Sequence, residues 1–244
     1  MDVANDSSNL KKHTVVSHEE WIKTRTAFLA KEKEFTRLRD QLSQQRRDLP
    51  WERVEKRYVF EGPNGRETLS DLFEGRHQLI VYHFMFDTDW EAGCKSCSFW
   101  ADNFNGIVVH LKHRDVTLIA VSRAPLAKLE AYRKRMGWSF KWVSSAGNDF
   151  NRDYHVSHTP DELEKKDAYY NYTRQRPYAS EAPGISVFYR DPEGAVFHTY
   201  SCYARGLDML NGAYHFLDLV PKGRDEANLP SHSDWLRRHD EYRD

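Results

Sequence analysis

The sequence has no run of 18 consecutive apolar residues, so no stretch of it is expected to cross a bilayer as a helix. Its first sixteen residues, MDVANDSSNLKKHTVV, contain no apolar block of the length a secretory signal needs. Neither sign of charge dominates: 36 Lys and Arg stand against 37 Asp and Glu, a formal net charge of −1. Bulk charge therefore gives no support to a nucleic-acid or membrane-surface partner. Cysteine is scarce as well. Three residues, an odd number, do not make the disulfide framework of a secreted domain. Internal repeats and low-complexity segments are missing too. Together these absences predict a cytoplasmic chain whose thiols are kept reduced.

Aromatic residues, by contrast, are plentiful, with 13 Phe, 13 Tyr and 7 Trp. They can fill a core without metals or disulfide staples. Ser17, followed three residues later by Glu20, has capping-box spacing. Trp21, Ile22, Phe28, Leu29, Phe35, Leu38 and Leu42 then recur at helical period. The helix should end before Leu49-Pro50 and pack on its own core or on a second subunit. Trp51 to Phe60 reads as extended, and Gly62-Pro63-Asn64-Gly65 as a turn. Gln78 to Phe86 is a nearly unbroken apolar run, as in a strand covered on both faces. Trp100, Phe104, Ile107, Val108 and Leu111 mark a helix reaching to about His113, and Val116 to Val121 a second buried strand. A helix from Pro125 to Met136 and a strand from Phe140 to Ser144 follow. Residues 145–182 read as an irregular, Tyr-rich insertion. Ile185–Arg190 and Ala195–Tyr200 form a hairpin around Asp191-Pro192-Glu193-Gly194, and Leu207–Leu219 a last helix. The expectation is an α/β chain with a mixed sheet flanked by helices. It divides into an N-terminal arm and long helix (1–50), the sheet domain (51–221) and a C-terminal tail (222–244) anchored by Trp235.

Two of the three cysteines form Cys94-Lys95-Ser96-Cys97, directly after the first buried strand and at a predicted helix start. Free backbone N–H groups there favour a thiolate, so the Cys94 thiol should be more acidic than a free one. Lys95 adds a positive charge. Cys97, one turn on, can attack a mixed disulfide held on Cys94: Cys94 attacks and Cys97 resolves. A metal reading competes, because His110 and His113 complete Cys-x2-Cys-x12-His-x2-His, one residue short of a zinc-finger pattern. In one continuous helix, however, Cys97 and His110 lie roughly 20 Å apart, and zinc needs its ligands within ~2.0–2.3 Å. A helix break near Asn103–Gly106 would reopen that reading. No metal or other cofactor is expected.

Tyr82-His83-Phe84-Met85-Phe86 and the block from Trp90 to Asp102 resemble the thioredoxin-like family known as domain of unknown function 899. Its members are described as predicted dithiol–disulfide oxidoreductases. Pro183–Arg190, His198–Ser201, Ala204–Asp208 and Leu217–Glu226 match it too, so the likeness spans about residues 14–226. The resemblance implies a thioredoxin-like fold and a redox role for Cys94 and Cys97. It also implies a cis-proline before the first hairpin strand, a position held by Pro183. The second hairpin strand would then return the loop Ser201–Arg205 to the redox end. That makes Tyr200 and Arg205, with Trp90, Lys95 and Pro183, candidates for substrate contact. Cys202 reads as a buried inert thiol or a second resolving one, and His198 as a structural histidine. Tyr169, Tyr170, Tyr172 and Tyr178 could cover either the site or the sheet edge.

Two other functions fit the same residues. A peroxiredoxin-like thiol peroxidase would have a threonine or serine three residues before its reactive cysteine, where this chain has Glu91, a carboxylate that opposes thiolate formation. A non-catalytic binding module would use the seven-residue spacing of Trp21, Phe28, Phe35 and Leu42 to form a homodimer. The dithiol reading needs a disulfide-containing protein or small-thiol substrate and an external thiol reductant or oxidant.

Overall fold

A computed structural model describes residues 13–243. The first element, α1 (His18–Arg47), starts where Ser17 Oγ accepts the Glu20 N–H at 3.2 Å. Glu19 and Glu20 occupy its first turn and Arg46 and Arg47 its last, each favourable to the helix dipole. It ends two residues before Leu49-Pro50. Beyond it lie β1 (Glu52–Arg53), the hairpin β2 (Val59–Gly62) and β3 (Gly65–Thr68), a 3-10 turn at Asp71–Phe73, and β4 (Gln78–His83). Next come α2 (Lys95–Ala101), α3 (Val108–Lys112), β5 (Val116–Ser122), α4 (Leu126–Arg135) and β6 (Lys141–Ser144). The rest comprises α5 (Phe150–Asp153), α6 (Pro160–Lys165), β7 (Ala168–Tyr170), β8 (Thr173–Gln175), β9 (Gly184–Arg190), β10 (Val196–Tyr203), a 3-10 segment at Ala204–Leu210, and α7 (Gly212–Leu217).

Eight strands make one mixed sheet in the order β1-β10-β9-β4-β5-β6-β2-β3. The strands β4, β5 and β6 run parallel, and β9 pairs antiparallel with β4 on the other side, Ile185 opposite Tyr82 and Gly184 opposite His83. Side chains alternate along β4 as a strand requires. Leu79 and Val81 join a core with Phe60, Ile119, Phe150 and Phe188, and Tyr82 joins one with Phe84, Phe104, Tyr132 and Trp142. The fold is α/β, a mixed sheet flanked by helices, with a long N-terminal helix and an insertion before the β9–β10 hairpin.

The single helix expected from the cysteines to His113 is instead two. Asn103 Nδ2 caps the Phe99 and Trp100 carbonyls, and its Oδ1 accepts the Gly212 N–H. Asn105 reaches away to Ser139 and Gly137. Asparagine side chains competing for main-chain partners end α2, and the chain turns before α3. This is the break that would reopen a zinc site, yet His110 and His113 lie exposed. Among the described residues no three His, Cys, Asp or Glu side chains are grouped to hold a metal.

Other expectations also change. Residues 145–182 are not wholly irregular: they hold α5, α6 and the β7–β8 ladder, with Thr159 and Glu162 forming a capping box at α6. The predicted final helix is a 3-10 segment followed by α7, restarted where Asn211 Oδ1 accepts the Tyr214 N–H. In the tail Trp235 packs on Phe99, but Leu236 is the side chain fully out of solvent. The peptide bond before Pro183 is trans, since no cis bond occurs among the described residues. The helix α1, expected to pack, buries none of its residues.

Candidate functional site

Past β4 the chain stays tied to the sheet: Phe84 N–H donates to Val121, and Phe86 O accepts from Ala124. The following loop turns on Asp87, whose carboxylate accepts the Thr88 N–H at 2.8 Å. Lys128 Nζ clamps it, donating to the Thr88 and Trp90 carbonyls at 3.0 Å each. The chain then passes against the core at Gly93, where any Cβ would sit 2.7 Å from the Phe84 ring. Only glycine allows that approach.

Cys94 is the N-cap of α2. Its N–H donates to Met85 O at 3.1 Å, which fixes the residue to the end of the strand. Its carbonyl accepts from Ser98 N and Ser98 Oγ. The residue is half-buried, and its Sγ accepts the Cys97 N–H at 3.4 Å. Cys97 lies one turn deeper at 2% exposure, with Tyr82 OH donating to its carbonyl at 3.3 Å.

These surroundings separate the two thiols. A hydrogen bond from the Cys97 thiol brings Cys94 down to about 7, assisted by the Cys97 and Ser96 N–H groups and the charge of Arg238, against the opposing effect of burial. Burial pushes Cys97 well above the usual thiol range, and a charge on Cys94 pushes it further. The pair thus has one thiol that ionises near neutrality and one held protonated beneath it.

Arg238 carries no signal in the sequence. It comes from the C-terminal tail, where Nη2 donates to Gly93 O at 2.8 Å and Nε to Tyr132 OH at 2.7 Å. Tyr132 OH in turn shares a 2.9 Å hydrogen bond with Ser98 Oγ. Ion pairs from Arg135 to Asp240 and Glu241, and a 2.7 Å hydrogen bond between His239 Nδ1 and Asp102 Oδ1, hold this stretch in place. Lys95, expected to supply positive charge, is half-buried beside the cysteines, and Arg238 adds a cation that the motif does not reveal.

The tyrosines divide. Tyr178 OH donates to Met85 Sδ at 3.3 Å, and Tyr170 OH donates to Pro183 O at 2.7 Å. Burial raises both hydroxyls, and a charge on Cys97 raises them further, so both lie within electrostatic range of the pair. Tyr172 instead reaches Ser201 O, and Tyr169 packs on His155. Pro183 sits next to Gly184, at the same end of the sheet as the cysteines.

Tyr200 and Arg205 line a different feature, a groove of about 780 Å³ along β10, together with Leu49, His198 and Cys202 and without Cys94 or Cys97. Arg205 is 88% exposed and paired with Asp208. Tyr200 packs under the Arg46 guanidinium at 4.8 Å. Cys202 is buried, and burial raises its thiol. His198 is structural in its bonding: Nε2 lies 2.7 Å from Ser201 Oγ, within a chain that continues through Ser186 Oγ to His83 Nε2. A bulge at Thr199 sets this up by putting His198 and Ser201 on one face.

A second polar cluster went unread in the sequence. Glu181, 1% exposed, accepts from Ser157 Oγ at 2.6 Å and Asn151 Nδ2 at 3.2 Å. Arg123 lies 3.6 Å from Glu181 and 3.7 Å from Asp87. Burial raises Glu181 to about 7.

Similarity to known proteins was found at two levels. Among solved structures, a mutant of Xanthomonas campestris peroxiredoxin Q is 16% identical, with a TM-score of 0.42 over 65% of this chain and 90% of its own. The peroxidoxin BcpB from Mycobacterium tuberculosis is 11% identical, with a TM-score of 0.42 over 66% and 94%. A yeast mitochondrial 1-Cys peroxiredoxin is 13% identical, with a TM-score of 0.42 over 66% and 73%. No curated protein matches the sequence. The model of one family matches residues 10–242, nearly the whole chain, and the protein belongs to that family, described as "Bacterial protein of unknown function (DUF899)".

Proposed function

We propose that this protein is a dithiol–disulfide oxidoreductase. The observation that carries the reading is the placement of two thiols one helical turn apart: Cys94 Sγ, at the N-cap of α2, accepts the Cys97 N–H at 3.4 Å, and Cys97 lies buried beneath it, surroundings that lower the Cys94 thiol and raise the Cys97 one.

In the reducing direction, the Cys94 thiolate attacks one sulfur of a substrate disulfide. A Cys94–substrate bond forms, the substrate S–S bond breaks, and the other sulfur leaves as a thiolate that takes up a proton. Cys97 then gives up its proton and attacks Cys94 Sγ, closing a Cys94–Cys97 disulfide and expelling the second substrate thiol. Two electrons pass from the protein pair to the substrate, and an external dithiol returns them. Ionisation of Cys97 is favoured at the second step, because the Cys94 charge that opposed it has been consumed in the mixed disulfide. Trp90 and Lys95, which flank the pair in sequence, and Pro183, at the same end of the sheet, are the proposed substrate contacts. Tyr200 and Arg205 would take part only for a substrate extended enough to reach the β10 groove as well.

The test is turnover of a small aromatic disulfide with a dithiol reductant. Cys94→Ser should lose roughly 10³-fold or more in rate, about 4 kcal/mol of barrier. Cys97→Ser should stall as a mixed disulfide visible by intact mass. Full turnover by Cys97→Ser, whether on the disulfide or on hydrogen peroxide, would show that the second thiol is idle and the reading wrong.

A further inference from the structure

The long helix α1 presents an unmet physical demand. A 30-residue helix spans about 45 Å, and none of its residues is buried. Trp21, Ile22, Phe28, Phe35, Leu38 and Leu42 stand 45–65% exposed along it. Its foot is fixed, with Arg46 over Tyr200 and Trp51 against Tyr189 and Phe197. Large apolar side chains repeated along one solvated helix are costly to leave in water.

We propose that α1 pairs with α1 of a second copy of this chain, antiparallel, to form a homodimer. Three observations select that occupant. The repeat of Trp21, Phe28, Phe35 and Leu42 is seven residues, the period at which two helices keep a common seam. It is also symmetric about its centre: reversing one helix sets Phe28 of each copy against Phe35 of the other and Trp21 against Leu42, as a twofold axis requires. The helix ends are opposite in charge, Glu19 and Glu20 at one and Arg46 and Arg47 at the other. Antiparallel pairing brings these together, whereas parallel pairing sets like against like. The area is also sufficient. The six side chains, each about half exposed, offer roughly 500–800 Å² per chain, taking about 150–250 Å² for a large side chain in full, against the ~800 Å² per partner of a standard stable interface.

The test is the mass of the full chain by sedimentation equilibrium. At roughly 20 µM it should be twice the 28.8 kDa of one chain, because interfaces of this size dissociate at micromolar concentration or below. Phe28→Glu with Phe35→Glu should weaken association by about 100-fold or more, with the pH midpoint of Cys94 alkylation unchanged as the sign of an intact domain. A wild-type chain of single mass, or a double variant that stays dimeric, overturns the proposal. Orientation is tested separately. Glu19→Arg with Glu20→Arg should weaken the dimer about tenfold, and adding Arg46→Glu with Arg47→Glu to the same chain should restore it. Failure to restore rules out the antiparallel arrangement.

Discussion

α1 runs for 30 residues without burying one, whereas α2 runs for seven and keeps Cys97, Ser98 and Ala101 out of solvent. What holds each follows from that. α1 relies on what it carries: the Ser17 cap, acids in the first turn, arginines in the last, and the Arg25–Glu32 pair along one flank. α2 is too short to form alone and is held by its neighbours. Trp100 Nε1 donates to Leu207 O at 2.8 Å, Phe99 meets Tyr214 and Trp235, and Tyr82 OH reaches the Cys97 carbonyl. The long helix is therefore written locally and the cysteine-bearing one globally. The proposed chemistry rests on distant parts of the chain, and the proposed association on a single segment.

The sharpest way to break this contrast is a matched pair of truncations. Phe104→Ala, beneath the join of α2 and α3, should cost about 3–5 kcal/mol in denaturant unfolding. Phe35→Ala, at a concentration that keeps the chain monomeric, should stay within about 0.5 kcal/mol. Equal costs would mean that α1 packs on its own domain in solution.

Next in size is the buried acid of the packed end. Folded Glu181 keeps its proton to about pH 7, above its ordinary value of 4.5. Stability from this group is complete below about pH 4.5 and is lost as pH rises through 7, by roughly 3 kcal/mol at most. In a urea-midpoint series from pH 5 to 8, Glu181→Gln should flatten the fall. An unchanged slope would show that Arg123 already holds the carboxylate ionised.

A smaller effect tests how far α2's surroundings set its thiol. Cys97→Ala should raise the pH midpoint of Cys94 alkylation, because it removes the leading stabiliser of the thiolate. Arg238→Gln should raise it by less. A larger shift from Arg238→Gln would reverse that ranking. The smallest expectation belongs to α1: Ser17→Ala should cost about 1 kcal/mol, seen as faster hydrogen exchange in the first turn and no change in global unfolding.

Local and periodic signals were legible in the sequence. Ser17 and Glu20 placed the start of α1 and Leu49-Pro50 its end, the apolar runs placed β4 and β5, and Asp191–Gly194 placed the hairpin turn. The Cys94–Cys97 spacing singled out two cysteines that the structure sets one helical turn apart. What could not be read was set by contacts between remote positions. The α2–α3 break depends on Asn103 meeting Gly212, and Asn103 alone is compatible with a continuing helix. The order of the outer strands depends on β2 pairing with β6, a choice no local pattern encodes. Pro183 was read by analogy with a cis-proline, and its peptide is trans. Arg238 is an ordinary arginine in a polar tail until Leu236 and the Arg135 ion pairs deliver it to Gly93.

That last contact sets an order of events. The bond from Arg238 to Gly93 spans 145 positions, so the guanidinium takes its place near the thiol only after both distant segments have been made and have come together. A nascent chain would carry Cys94 without this source of acidity, and less prone to premature oxidation. Cleavage of the chain just before Arg238 would detach that guanidinium from Gly93 and return the thiol to the quieter condition.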